Sequence, residues 1–319
     1  MSIKKSLFII IAISIIIFLT NMNTQTDVKS ATSKPKVSLS TFALYDIAKH
    51  IAQDEIEISM ILPLGVDTHS YEPTPKQLTK LYKSDLLVFN GASLEPWTKG
   101  FDFKNTTLDI SLHVDLLEIA EDEEEGHEEH EGHGHEGHKC EAAHGVDPHY
   151  WLDIPNMIKA TYKITLELMK LSPKNESIFA KNRDEYVSEL KKLDKLYKEK
   201  LSTCRLKTIV VNHNAFGYLS KNYGFEVEAL SGLSPEAQPS PKTMVDLIKH
   251  VNEHSVKTIF FESFVSDKAI KSIAIDANVK VDVLQPLGNI TANEAQKNLT
   301  YNDIMIDNLK KISQALECK

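Results

Sequence analysis

Three histidines stand in loops and turns, two of them after a strand-like run and one just before a long helical stretch. His69 lies in LPLGVDTHSYEPTP, His149 in VDPHYWLD and His213 in TIVVNHNAFGYL. Neutral imidazole is the usual nitrogen ligand of Zn²⁺, and three of them make a common zinc-binding set. The three are 80 and 64 residues apart in the chain, so only the fold can gather them. In open α/β sheets ligands bind beyond the carboxyl ends of the strands, and all three loops fit that placement. Two come from the first half of the chain and one from the second, so a cleft between two halves would collect them. His50, His113, His250 and His254 read instead as partly exposed residues of helices and strand ends.

A second group of imidazoles has different chemistry. His127, His130, His133, His135, His138 and His144 lie in residues 121–144, together with ten acidic side chains and one lysine. This composition cannot build a core, and it predicts a disordered loop over residues 120–145. Closely spaced imidazoles and carboxylates collect divalent cations weakly. A plain acidic linker is the alternative, but glutamate alone would serve as one. The whole formal charge of −9 resides in this tract, and the rest of the chain carries 35 acidic and 35 basic residues. With no basic surplus, nucleic acid is excluded as a partner class.

The chain around these residues has 319 residues, 42% of them apolar, which suits about two domains and rules out global disorder. Residues 35–41 alternate like a strand, Phe42 to Ala52 have helical spacing, and residues 56–62 read as a second strand. Thr74-Pro75-Lys76-Gln77 is a helix start: a Thr cap, Pro in the first turn and Gln three residues after the cap. Residues 85–89 form an apolar strand. Strands alternating with helices predict parallel α/β architecture. Ser240-Pro241-Lys242-Thr243 repeats the helix start at an offset of 166, and Thr258 to Phe261 repeats the strand after it. The expected fold is therefore two similar α/β lobes, each a mainly parallel sheet flanked by helices. Between them, Asn156 to Leu171 and Asn175 to Leu201 have helical spacing. The second stretch would span roughly 40 Å at about 1.5 Å per residue, making one long rigid connecting helix.

Lys4 and Lys5 precede a thirteen-residue apolar run around Ser14, Leu7 to Leu19. It suits an export signal and is short for a membrane span of about 20 residues. The expected organisation is a signal peptide over 1–30, an N-terminal lobe over 36–173, a linker helix over 174–202 and a C-terminal lobe over 203–319. No Cys closely follows the apolar run, which argues against a lipid-anchored N-terminus. Cys140, Cys204 and Cys318 allow three pairings or none; a Cys204–Cys318 disulfide would tie the C-terminal helix to its own lobe.

Taken together, these motifs resemble the periplasmic metal-binding proteins of ABC importers for zinc or manganese. The resemblance covers about residues 36–316. Gly65 to Pro73, Asp147 to Asp153 and Asn212 to Tyr218 resemble the family's ligand loops, and Gly232 to Ser240 matches a further signature. A His- and acid-rich insertion between the first two loops is typical of the zinc branch. The resemblance implies a metal between the lobes, held by His69, His149 and His213, and delivery of Zn²⁺ to an ABC permease in the inner membrane by a monomeric periplasmic carrier. The manganese branch usually carries a carboxylate where this chain has His213, and imidazole favours zinc. Many relatives also supply a fourth, carboxylate ligand from a Leu-Asp-Pro-Leu-Gly-like segment. Here it reads Leu284-Gln285-Pro286-Leu287-Gly288, so the fourth position falls to water, to Gln285 or to Glu262, with Glu262 favoured as an orienting acceptor for a ligand imidazole.

Three histidines and a water also describe a catalytic zinc site, but there is no HExxH motif and no evident general base beside the histidines. The reading is therefore a non-enzymatic zinc carrier whose His-rich loop captures or regulates zinc. The alternatives are a manganese carrier of the same family and a periplasmic zinc buffer in which the tract does the work.

Overall fold

The computed structural model describes residues 33–119, 145–231, 249, 251, 256–262, 275 and 278–319. The signal peptide, the tract over 120–144 with its six histidines and Cys140, the segment 232–240, the repeated helix start at 240–243, His250 and His254 lie outside them. The chain divides into Met1–Lys34 and Pro35–Lys319, and every element below belongs to the second unit.

The first sheet contains β1 (Lys36–Leu39), β2 (Glu57–Met60), β3 (Leu86–Phe89) and β4 (Thr106–Asp109), all parallel, in the order β2-β1-β3-β4. A short antiparallel ribbon, β5 (Leu117–Glu118) with β6 (Val146–Asp147), follows. The second sheet contains β7 (Thr208–His213), β8 (Glu226–Ser231), β9 (Thr258–Phe261) and β10 (Lys280–Val283), in the order β10-β9-β7-β8 and again parallel. Both sheets have the same topology: the second strand pairs outside the first, and the third and fourth lie on its other side. The strand order therefore reverses between β1 and β3, and again between β7 and β9. These are the two places where an open α/β sheet leaves a crevice at its carboxyl edge.

The first four helices form where the sequence signals them. Helix α1 (Phe42–Ala52) is buried around most of its circumference, Phe42, Leu44, Ile47, Ala48 and Ile51 among its buried residues. Helix α2 (Pro75–Leu81) carries a complete capping box, with Thr74 and Gln77 each accepting from the other's backbone amide. Helix α3 (Ile154–Leu171) is capped by Asp153, which accepts from the Asn156 amide. Helix α4 (Glu176–Leu201) is the long one. Among the described residues of the second half lie helices α5 (Gly217–Tyr223), α6 (Ala292–Gln296) and α7 (Tyr301–Ala315). Among the described residues no helix is long and apolar enough to cross a membrane.

Helix α4 is more than a spacer. It buries Phe179, Tyr186, Leu190, Leu193, Tyr197 and Leu201 in one continuous core that also takes in α1, α3, α7, β1 and β7. Three polar bonds lock it: Tyr186 Oη donates to Asp46 (2.9 Å), Asn182 to the Ile51 carbonyl (2.9 Å) and Tyr197 Oη to the Met305 carbonyl (2.7 Å). The helix is thus a spine against which elements of both halves pack. A Cys204–Cys318 disulfide joins the chain just beyond α4 to the segment after α7.

The crevice between β1 and β3 is filled by the chain itself. Glu95 is buried there, and its carboxylate accepts from Ser40 Oγ, from the Asn90 amide and side chain and from the Gly91 amide. Burial pushes its pKa up, and these donors pull it back down. Gly91, Ala92 and Ser93 all have left-handed backbone, at φ of 77°, 49° and 63°, to turn the chain around this carboxylate. Asn90 passes the anchorage on, because its Oδ1 accepts from Tyr150 Oη at 2.9 Å. Glu95→Ala strands these buried donors, each at a cost of about 1–3 kcal/mol. A loss of more than about 3 kcal/mol is expected in urea denaturation, with a smaller loss for Glu95→Gln, which keeps an acceptor. A loss below about 1 kcal/mol for Glu95→Ala would show that the carboxylate is not an anchor.

Candidate metal centre

Each of the three histidines leaves a different element. His69 sits in the loop between β2 and α2. His149 follows β6 and opens the 3-10 turn Tyr150–Leu152, whose three side chains are all buried. His213 is the last residue of β7, at the carboxyl edge next to the strand reversal. Their ligating nitrogens lie within 4.8 Å of one another. His69 and His149 approach Nε2 to Nε2 at 3.1 Å, and the ring centroids are 4.9 to 5.3 Å apart. Asp67, Thr68, Trp151, Glu262, Pro286, Gly288 and Asn289 line the cavity with them.

Two of the rings are oriented from behind. His149, 1% exposed, donates Nδ1–H to Asp147 Oδ1 at 2.8 Å, and its backbone amide donates to the same oxygen at 2.9 Å. His213, 2% exposed, uses Nδ1 on Glu262, which follows β9 across the strand reversal. Glu262 is itself placed by its amide, which donates to Asn212 Oδ1 at 3.0 Å. With Nδ1 engaged, the Nε2 atoms of His149 and His213 are the ones left to face the cavity. Carboxylate–imidazole pairs of this kind fix the tautomer and orientation of a metal-binding histidine. Asp147 is a functional residue that motif reading did not single out. Its signal was available in its position two residues before His149 in Asp147-Pro148-His149.

The structure does not bring every proposed ligand into the cluster. Gln285 is buried, but it is not among the residues lining the cavity. Its Nε2 donates to the Glu294 carboxylate (3.2 Å to each oxygen), and its Oε1 accepts from the Leu287 amide at 3.4 Å. Glu262 does line the cavity, as the partner of His213. His50 lies outside the site, half-buried beside Asp46 and Tyr186, and His113 is an exposed residue of a 3-10 turn.

Crowding three imidazoles in a buried cleft disfavours their charged forms. Burial, then the neighbouring His149 and His213, pull the His69 pKa down to about 3 against a weak opposing pull from Asp67. Burial and His213 hold His149 well below the usual imidazole range. Burial raises Asp147 to about 7, although the His149 amide and His213 oppose it. His69 and His149 are thus held as neutral nitrogen donors, the state a cation needs. In the metal-free protein the ring resonances of His69 and His149 should stay fixed between pH 8 and 5 in two-dimensional NMR. Titration of His69 or His149 near pH 6.5 would contradict this electrostatic picture.

The sequence and the fold match a known group of proteins. A family model described as zinc-uptake complex component A, periplasmic, matches residues 37–315. The high-affinity zinc uptake system protein ZnuA of Bacillus subtilis is 33% identical over 304 residues, covering 94% of this chain and 93% of that protein. The zinc-binding lipoprotein AdcA of Streptococcus pneumoniae is 31% identical over 294 residues; the match takes in 91% of this chain and 57% of AdcA. Among solved structures, the Zn(II)-bound ZnuA-like domain of that AdcA aligns with a TM-score of 0.73 and 28% identity, over 89% of this chain and 99% of the other. The laminin-binding protein Lmb of Streptococcus agalactiae, described as having adhesin and metal-transporting activity, aligns with a TM-score of 0.75 and 29% identity over 88% of this chain and 99% of its own. With the match running through both sheets and all three histidine loops, the chain belongs to the zinc-uptake complex component A family.

Proposed function

We propose that this protein is the exported zinc-binding component of an ABC importer, taking up Zn²⁺ and handing it to a membrane permease. The observation that carries this reading is the convergence of His69, His149 and His213 within 4.8 Å, two of them braced by buried carboxylates. Three neutral imidazoles favour Zn²⁺ over Mn²⁺, which prefers oxygen. The protein acts as a monomeric carrier and not as an enzyme. It has a signal peptide over 1–30, lobes over 36–173 and 203–319, and the helix of 174–202 between them.

In this reading a fourth position on the ion belongs to solvent. Gln285 is spoken for by Glu294, and Glu262 by His213. The ion then keeps its full +2 charge, where a carboxylate ligand would reduce it to +1. This favours release to a partner over permanent retention. The tract at 121–144 serves as a weak accessory collector, with His127, His130, His133, His135, His138 and His144 exchanging Zn²⁺ with the central site.

Chelator competition on the protein lacking 121–144 tests the central assignment. One tight zinc equivalent with weak Mn²⁺ binding is expected. Loss of tight zinc binding would move the function to the tract, and tight Mn²⁺ binding would make the protein a manganese carrier. Asp147→Ala is expected to lower zinc affinity by about 10- to 100-fold through the loss of His149 orientation. An unchanged affinity in that variant would remove His149 from the ligand set.

A further inference from the structure

His149 and His213 are held by carboxylates; His69 is held differently. His69 is less buried than the other two, and among the described residues its ring makes no hydrogen bond to a carboxylate, Asp67 acting on it only from a distance. Its position is set by the loop that carries it, residues 63–70, and that loop is gripped from the other half of the chain. Asn289, 2% exposed, donates its side-chain amide to two carbonyls of the loop, Pro63 at 2.7 Å and Val66 at 2.8 Å. The Gly65 amide donates to the Ile290 carbonyl at 2.9 Å. Asn289 Oδ1 accepts from the Ile290 amide, which orients the fork.

The gripping segment is itself fixed. Trp151 Nε1 donates to the Pro286 carbonyl at 2.7 Å, and the Phe42 amide donates to the Gly288 carbonyl at 3.0 Å. Leu287 has left-handed backbone, at a φ of 62°, and so does Gly65 on the other side of the contact, at 78°. A residue other than glycine holds such a conformation only when its surroundings enforce it. The closest approach is at Gly288, where an added Cβ would lie 2.6 Å from Thr68 Oγ1. Thr68 is the residue before His69. Pro286, Gly288 and Asn289 line the same cavity as the three histidines, so the grip and the site share one wall.

We infer that the strap Pro286–Ile290 is the positioning device of His69, and that Asn289 and the Gly288–Thr68 contact set how long a bound divalent cation stays. This rests on the reading of the three histidines as ligands. One ligand of three is held by hydrogen bonds to a separate segment and not by a buried carboxylate. It is the ligand whose reach changes when that segment shifts.

The test is release of Zn²⁺ into excess chelator from the full mature protein carrying one zinc equivalent, followed by stopped-flow absorbance. Asn289→Ala and Gly288→Ala are each expected to speed release about tenfold or more, the scale of one or two buried hydrogen bonds. Thr68→Ala added to Gly288→Ala removes the clashing hydroxyl and is expected to restore release to within about twofold of the parent. In a His69→Ala background, Asn289→Ala should add nothing. Wild-type release rates in Asn289→Ala and Gly288→Ala would overturn the inference, as would an Asn289→Ala effect of equal size with and without His69. If His69→Ala itself releases zinc at the wild-type rate, the ligand assignment fails instead, and the two failures are distinct. Should Asn289→Ala not fold, the Gly288→Ala and Thr68→Ala pair decides alone.

Discussion

Two buried hydrogen bonds between carboxylate and imidazole, Asp147 with His149 and Glu262 with His213, set the terms for the rest of the centre. A histidine can bind a cation only through a deprotonated nitrogen, so something must occupy the other nitrogen and aim the ring. Glu262 can do this because β9 lies beside β7, and their carboxyl ends open at the strand reversal. Asp147 can do it because the β5–β6 ribbon ends two residues before His149. The neighbouring apolar residues follow from the same need. Tyr150, Trp151 and Leu152 are buried to hold the turn that starts at His149, and the Glu95–Asn90–Tyr150 chain fixes that turn to the first sheet.

The buried setting also shapes the electrostatics. Buried imidazoles close to one another resist protonation more than a single exposed ring does, and His69 and His149 are both held below the usual imidazole range. Nitrogens in that state are ready for a cation at the pH where a free histidine would be half protonated. The carboxylates of Asp147 and Glu262 engage the Nδ1 side of His149 and His213.

Much of this was legible in the sequence because it is local. The capping box of Thr74 and Gln77, the strand before His213 and the helical spacing of α3 all depend on neighbours within a few residues. The loops of His69 and His213 were visible because each follows a strand-like run, and that of His149 because it precedes a long helical stretch. Other features depend on partners far along the chain, and no spacing rule reaches them. Helix α4 is rich in Lys and Glu, which suggests an exposed spacer, yet its tyrosines find Asp46 and Met305 more than 100 residues away. Gln285 stands where relatives supply a ligand, but Glu294, nine residues later, takes its amide. The hold of Asn289 on the loop of His69 spans 226 residues and has no signature in the sequence.

The shared strand order of the two sheets gives the chain the same crevice twice. The two are used differently. The first is stoppered by Glu95, with Ser40, Asn90 and Gly91 closing around its carboxylate. At the second, Glu262 meets His213 at the edge of a cavity. A carboxylate at the strand reversal is a plug in one sheet and a brace for an imidazole in the other, so the same architecture is closed at one sheet and left open at its counterpart.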